Sequence, residues 1–210
     1  MFVKICGITR LEDALAAARY GANAIGFMLW PDSPRWIEPG RARSIAAELP
    51  PFVTPVGVFV NQPVDEVNEV AAVARLGAVQ LHGDETPEYA AKIDRPVVKT
   101  MNVAIAVNAA VDEIWPSPAM ILIDAHDPVK RGGTGRTIDW AAAAAVAARR
   151  RVLLAGGLTP ENVVSAVDIV NPYGIDLASG VEDAPGIKNH GRLRALFEAI
   201  HESSHRQARS

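Results

Sequence analysis

With 210 residues, 49% of them hydrophobic and 21% charged, the chain can bury one substantial core and lies in the ordinary globular range. A formal net charge of −3 and a sequence pI near 6.0 supply no general attraction for nucleic acid or an anionic membrane, so an anionic ligand must be held by a local site. The longest strongly apolar stretch, residues 140–148, is too short to cross a bilayer, and a single cysteine, Cys6, excludes an internal disulfide and a cysteine-based metal cluster.

Residues 1–7 lack the succession of basic, apolar and small regions of a secretory signal, which predicts a cytoplasmic protein. Short runs rich in Val, Ile, Leu and Phe then recur along the chain, predicting strands over residues 2–6, 24–29, 55–60, 78–82, 96–100, 119–124, 151–155 and 173–178. Between them lie apolar stripes of helical period: Leu11, Ala14, Leu15, Ala18; Val67, Val70, Ala71, Ala74; Val163, Ala166, Val167, Val170; and Leu193, Leu196, Phe197, Ile200. Thr9 before the first helix, and Thr159 with Pro160 behind it before a later one, read as start signals, with threonine as the cap.

Strands that alternate with helices imply a parallel sheet, because a parallel neighbour needs a long return connection. Eight such units close a (β/α)8 barrel. A doubly wound open sheet is the alternative, but it usually has fewer units and a glycine-rich dinucleotide turn after its first strand, where this chain has Gly7 alone. The expectation is one barrel domain over residues 1–202 and a frayed polar tail over 203–210.

In such a barrel the reactive groups gather on loops at the carboxyl ends of the strands. Gly156 and Gly157 after the seventh strand, with Ser179 and Gly180 after the eighth, suit a phosphate, since glycine lets backbone N–H groups approach its oxygens. Either pair alone is equally a tight turn. Cys6 ends the first strand, as a small buried hydrophobe or as a base; for the second role its site must depress the thiol pKa, with Lys4 two positions earlier on the same face.

Asp124 follows the apolar run Met120-Ile121-Leu122-Ile123. There it is either a partly desolvated carboxyl able to donate a proton or a loop-capping aspartate. Arg35, behind Ser33-Pro34, is a clamp for a substrate carboxylate or a surface arginine. His82 is a substrate contact or a structural histidine, and Asp176, inside an apolar strand, needs a partner or a task. The stretch 132–135, Gly-Gly-Thr-Gly, reads as a closing lid or a simple connector.

In order and spacing these residues resemble the phosphoribosylanthranilate isomerases of tryptophan biosynthesis over nearly the whole chain. The resemblance rests on Lys4-Ile5-Cys6-Gly7-Ile8-Thr9, Gly26-Phe27 with Ser33-Pro34-Arg35, Val56-Gly57-Val58-Phe59-Val60-Asn61, and Val79-Gln80-Leu81-His82-Gly83-Asp84-Glu85. It continues through Asp124, the 132–135 glycines with Asp139-Trp140, Leu154-Ala155-Gly156-Gly157-Leu158 with Pro160-Glu161-Asn162, and Ser179-Gly180-Val181-Glu182.

The resemblance implies an Amadori rearrangement of a phosphorylated small molecule and implies no cofactor or metal; the oligomeric state is left open between monomer and homodimer. It implies Asp124 as general acid, Cys6 as the base that removes the C2 proton, and Arg35 on the anthranilate carboxylate. His82 and Asp176 would line the pocket, and Gly156, Gly157, Ser179 and Gly180 would receive the phosphate. Ala178 departs from the family, which commonly has serine there, and removes one hydroxyl near the phosphate. Among rival readings, a histidine-pathway isomerase is expected to carry aspartate in place of Cys6, and an indole-glycerol phosphate synthase a lysine and glutamate set absent here. A barrel that binds phosphosugars without turnover has no need of both Cys6 and Asp124.

Overall fold

The computed structural model describes residues 1–108, 110–115, 119–124 and 139–207; the 132–135 glycines lie outside them. Eight parallel strands, each hydrogen-bonded to the next in sequence, form a closed barrel. They are β1 (Phe2–Cys6), β2 (Ala24–Met28), β3 (Thr54–Phe59), β4 (Ala78–Leu81), β5 (Val97–Asn102), β6 (Met120–Asp124), β7 (Val152–Leu154) and β8 (Gly174–Leu177). β8 closes the ring on β1 in the register Val3↔Ile175 and Lys4↔Asp176. Each predicted strand is therefore present, within a residue or two at its ends, as the (β/α)8 reading required.

Alternation along the strands splits the apolar residues into two cores. Odd positions such as Val3, Ile5, Ile25, Phe27, Ile121, Ile123 and Ile175 face outward and pack under the helices. Leu122, Leu153 and Ala155, with Phe2, Val98 and Met120, fill the barrel itself. Above that plug the inward positions turn polar, with Lys4, Gln80, His82, Thr100, Asp124 and Asp176 all buried. The carboxyl ends of the strands are thus the chemical end of the barrel.

The outer layer comprises α1 (Leu11–Tyr20), α2 (Pro39–Ala47), α3 (Val64–Val73), α4 (Pro87–Ala90), α5 (Val103–Ala106), α6 (Ala110–Ile114), α7 (Trp140–Ala147), α8 (Val163–Val170) and α9 (His190–Gln207). α3, α8 and α9 bury the predicted stripes, for example Val67 with Ala71, Val163 with Ala166, and Leu193 with Leu196. α1 departs from expectation. It buries Asp13, Ala14, Ala16 and Ala17 and leaves Leu11 exposed, because ion pairs draw Asp13 inward.

Neither threonine caps its helix. α1 begins at an extended Arg10 without a side-chain cap, and the Thr9 hydroxyl instead donates to the Gly186 carbonyl, 2.6 Å away. Before α8 a turn intervenes, so Asn162 holds the cap position while the Thr159 carbonyl accepts from the Asn162 and Val163 N–H groups. A short antiparallel hairpin, β9 (Glu182–Ala184) and β10 (Ile187–Lys188), follows β8 and was not anticipated. α9 continues past residue 203, and Ser203 is buried.

Candidate active site

Cys6, Asp124, Arg35, His82, Asp176, Gly156, Gly157, Ser179 and Gly180 all line one cavity of about 430 Å³ at the carboxyl end of the barrel. Cys6 and Asp124 end strands on different sides of that mouth, and both side chains are buried. The remaining wall is largely apolar, from Met28, Trp30, Val58, Val60, Leu158 and Pro185. Such a lining suits a substrate with a ring, held by a few placed polar groups.

Cys6 sits among charges. Lys4, directly below it, places its ammonium 2.9 Å from Asp176 Oδ2. Burial pushes the Cys6 thiol above its ordinary value; Lys4 pulls the other way without prevailing, and Asp176 adds to the rise. The depressed pKa required by the sequence reading is thus reversed, because the buried sulfur loses more hydration than an ammonium already paired with Asp176 returns.

His82 directly follows β4, with Nε2 3.7 Å from Asp124 Oδ2. Its Nδ1 meets Gln80 Nε2 at 3.2 Å, and the same amide donates to Thr100 Oγ1 at 3.1 Å. Below, Glu85 accepts from the Asn61 and Gly83 N–H groups and pairs with the Lys99 ammonium at 2.8 Å, which fixes the loop that carries His82.

Arg35 is no free surface arginine. Its guanidinium lies against Glu182, with Nη2 2.7 Å from Oε2 and Nε 3.1 Å from both carboxylate oxygens. Glu182 in turn holds Lys188, buried and 2.7 Å away, whose ammonium also donates to the carbonyl oxygens of Cys6 and Ala178. Burial alone would raise the Glu182 carboxyl, but Arg35 and Lys188 together hold it below its usual range. Gly7 admits this packing. Its φ is 74°, and a Cβ there would stand 2.6 Å from Arg35 Cδ.

The glycine loops after β7 and β8 meet at the same cavity. Gly156 and Gly157 take φ of 87° and 65°, two successive left-handed residues. Gly180 lies so close to the Leu158 carbonyl that a side chain there would overlap it. Arg192 of α9 donates to the Gly180 carbonyl at 2.8 Å and reaches Glu161 at 3.1 Å, tying the two loops together. Ala178 supplies its carbonyl to Lys188 here and no hydroxyl. Glu182, Lys188, Gln80 and Arg192 were given no role in the sequence reading; Gln80 and Glu182 stood only as members of the shared motifs, and Lys188 and Arg192 lay outside them.

A family model for N-(5'-phosphoribosyl)anthranilate (PRA) isomerase matches residues 3–199. The chain belongs to that family. An N-(5'-phosphoribosyl)anthranilate isomerase from Geobacter metallireducens is 50% identical over 195 residues, covering 93% of this chain and 96% of the relative. Among solved structures, the phosphoribosyl anthranilate isomerase from Thermus thermophilus superposes with a TM-score of 0.85 at 45% identity, covering 96% of this chain and 99% of its own. A further isomerase of the family, solved in complex with reduced 1-(o-carboxyphenylamino)-1-deoxyribulose 5-phosphate, superposes at 0.83 and is 40% identical over the same shares. Family membership and the closed barrel are therefore in agreement, and no described helix is long and apolar enough to cross a membrane.

Proposed function

We propose that this chain isomerises N-(5-phosphoribosyl)anthranilate to 1-(2-carboxyphenylamino)-1-deoxyribulose 5-phosphate in cytoplasmic tryptophan biosynthesis, with Asp124 as acid and Cys6 as base. The observation that carries the reading is the shared cavity. An acid and a base on separate strands face one space that a guanidinium and the paired glycine loops also line.

In its acid form Asp124 protonates the furanose ring oxygen, and the C1–O bond breaks to leave a Schiff base. Cys6 as thiolate then takes the C2 proton, and the electron pair flows to nitrogen, giving an enolamine. Tautomerisation returns a proton to C1 and releases one from the C2 hydroxyl, yielding the ketone. Substrate and product are isomers, so no external oxidant or reductant enters. Arg35, aligned by Glu182, receives the anthranilate carboxylate. The left-handed pair Gly156 and Gly157, with Ser179 and Gly180, receives the phosphate. His82 and Asp176 contact the sugar between them.

The test is turnover of phosphoribosylanthranilate followed by loss of its fluorescence. Cys6→Ala and Asp124→Asn are each expected to lower kcat by several orders of magnitude while the fold and phosphate binding persist. Full activity in either variant removes that residue from the mechanism, and no turnover by the unaltered chain removes the reading itself.

A further inference from the structure

We infer that Lys4 is the positioning residue for the Cys6 base: its ammonium, held by Asp176 beneath the sulfur with donors to spare, is the group that makes a buried thiolate attainable in this barrel. The inference deepens the isomerase reading and rests on it. It starts from a count of donors. An ammonium has three N–H groups. Lys188, the other lysine beside Cys6, spends its three on the carbonyl oxygens of Cys6 and Ala178 and on Glu182 Oε1. Lys4 has a single oxygen partner among the described residues, Asp176 Oδ2, which leaves donors for the sulfur above it.

The space for the ammonium to reach the sulfur is built into the neighbouring strand. Gly26 of β2 stands directly beside Cys6 in the ladder, and a Cβ there would lie 2.7 Å from Cys6 Sγ and 3.1 Å from Lys4 Cε. Any side chain at position 26 would separate the two. Lys4 does not line the cavity and is only 2% exposed, so it acts on substrate through Cys6 and not by contact.

The charged groups around the sulfur are few. β1 contributes Lys4, β8 contributes Asp176, and β10 contributes Lys188, itself held by Glu182; Gly26 of β2 brings none. Arg35 packs over Gly7, while His82 and Asp124 border the same cavity from β4 and β6. The Lys4 charge lowers the thiol, whereas Asp176 raises it and holds the ammonium. Removing Lys4 and removing the Asp176 charge must therefore move the sulfur in opposite directions.

The chain has one cysteine, so alkylation by uncharged iodoacetamide reads that sulfur alone, independently of turnover. In Lys4→Met the pH profile of alkylation should shift upward by about one to three units. In Asp176→Asn, which keeps the side-chain shape, it should shift downward and carries the test even if Lys4→Met fails to fold. A Lys4→Met profile superimposable on the unaltered chain overturns the inference, as does an upward shift in Asp176→Asn. Either overturning result, with the unaltered chain still turning over phosphoribosylanthranilate, leaves the isomerase reading standing; the expected shifts with no turnover by the unaltered chain would do the reverse.

Discussion

Glu182 is the residue on which two cations of the site depend. It orients Arg35 through three contacts and neutralises the buried Lys188, which reaches in turn to the backbone of Cys6. Its position in a short hairpin gives no periodic pattern, so the sequence marks Arg35 as a candidate clamp but not the carboxylate that aims it. Glu182→Gln keeps the shape and removes the charge. Hydrogen bonds to charged groups contribute about 1.5–3 kcal/mol each, and a loosened Arg35 should bind the substrate carboxylate roughly tenfold or more weakly. Steady-state kinetics should therefore show KM rising more than kcat falls. An unchanged KM would mean that Arg35 needs no alignment or meets no substrate carboxylate.

At the scale of elements, the loops after β7 and β8 form one unit. The left-handed glycines of the first loop and the close approach of Gly180 to the Leu158 carbonyl leave no space for a side chain between them. Gly180→Ala should part the loops at a cost in thermal midpoint, and the Kd for inorganic phosphate, measured by calorimetry below that midpoint, should rise at least tenfold. An unchanged Kd would move the phosphate site elsewhere.

The strands were legible because parallel barrel strands, covered on both sides, stay apolar over four to six residues and end in turn residues. Helix stripes were legible where apolar side chains alone set the buried face, as in α3, α8 and α9. α1 was misread because its buried face includes Asp13, which hydrophobic periodicity counts as solvent-facing, and because an i, i+3, i+4 stripe of alanines and leucines fits two helix phases. The rim residues were legible from strand ends, whereas the sign of the Cys6 shift was not. It depends on how fully the sulfur is enclosed and on Asp176 competing for Lys4, and both arise from β8 closing on β1, 172 residues away.

Closure of the whole molecule has a second, peripheral fastening. Asp13 of α1 is fully buried and joins the start of the chain to its last helix. It accepts from Arg10 at 2.8 and 2.9 Å, from the Lys188 N–H at 3.0 Å, and meets His190 Nε2 at 2.8 Å. Burial would raise this carboxyl, but Arg10, the Lys188 amide and His190 outweigh it, and the group titrates below its ordinary value. The sign of the linkage follows. A carboxyl with a lower pKa folded than unfolded contributes stability in full above its unfolded value, near 3.9, and loses it as pH falls through the folded one. Asp13→Asn should thus lower stability at neutral pH by about 1–3 kcal/mol, discounted because Arg10 and His190 are partly exposed. Each kcal/mol corresponds to about 2–4 °C in a chain of this size. Thermal scans of both proteins should show that gap at pH 7 and its narrowing as the pH falls below about 4. A gap that widens on acidification would mean that Asp13 is held as the neutral acid, and that the first and last helices are joined by packing alone.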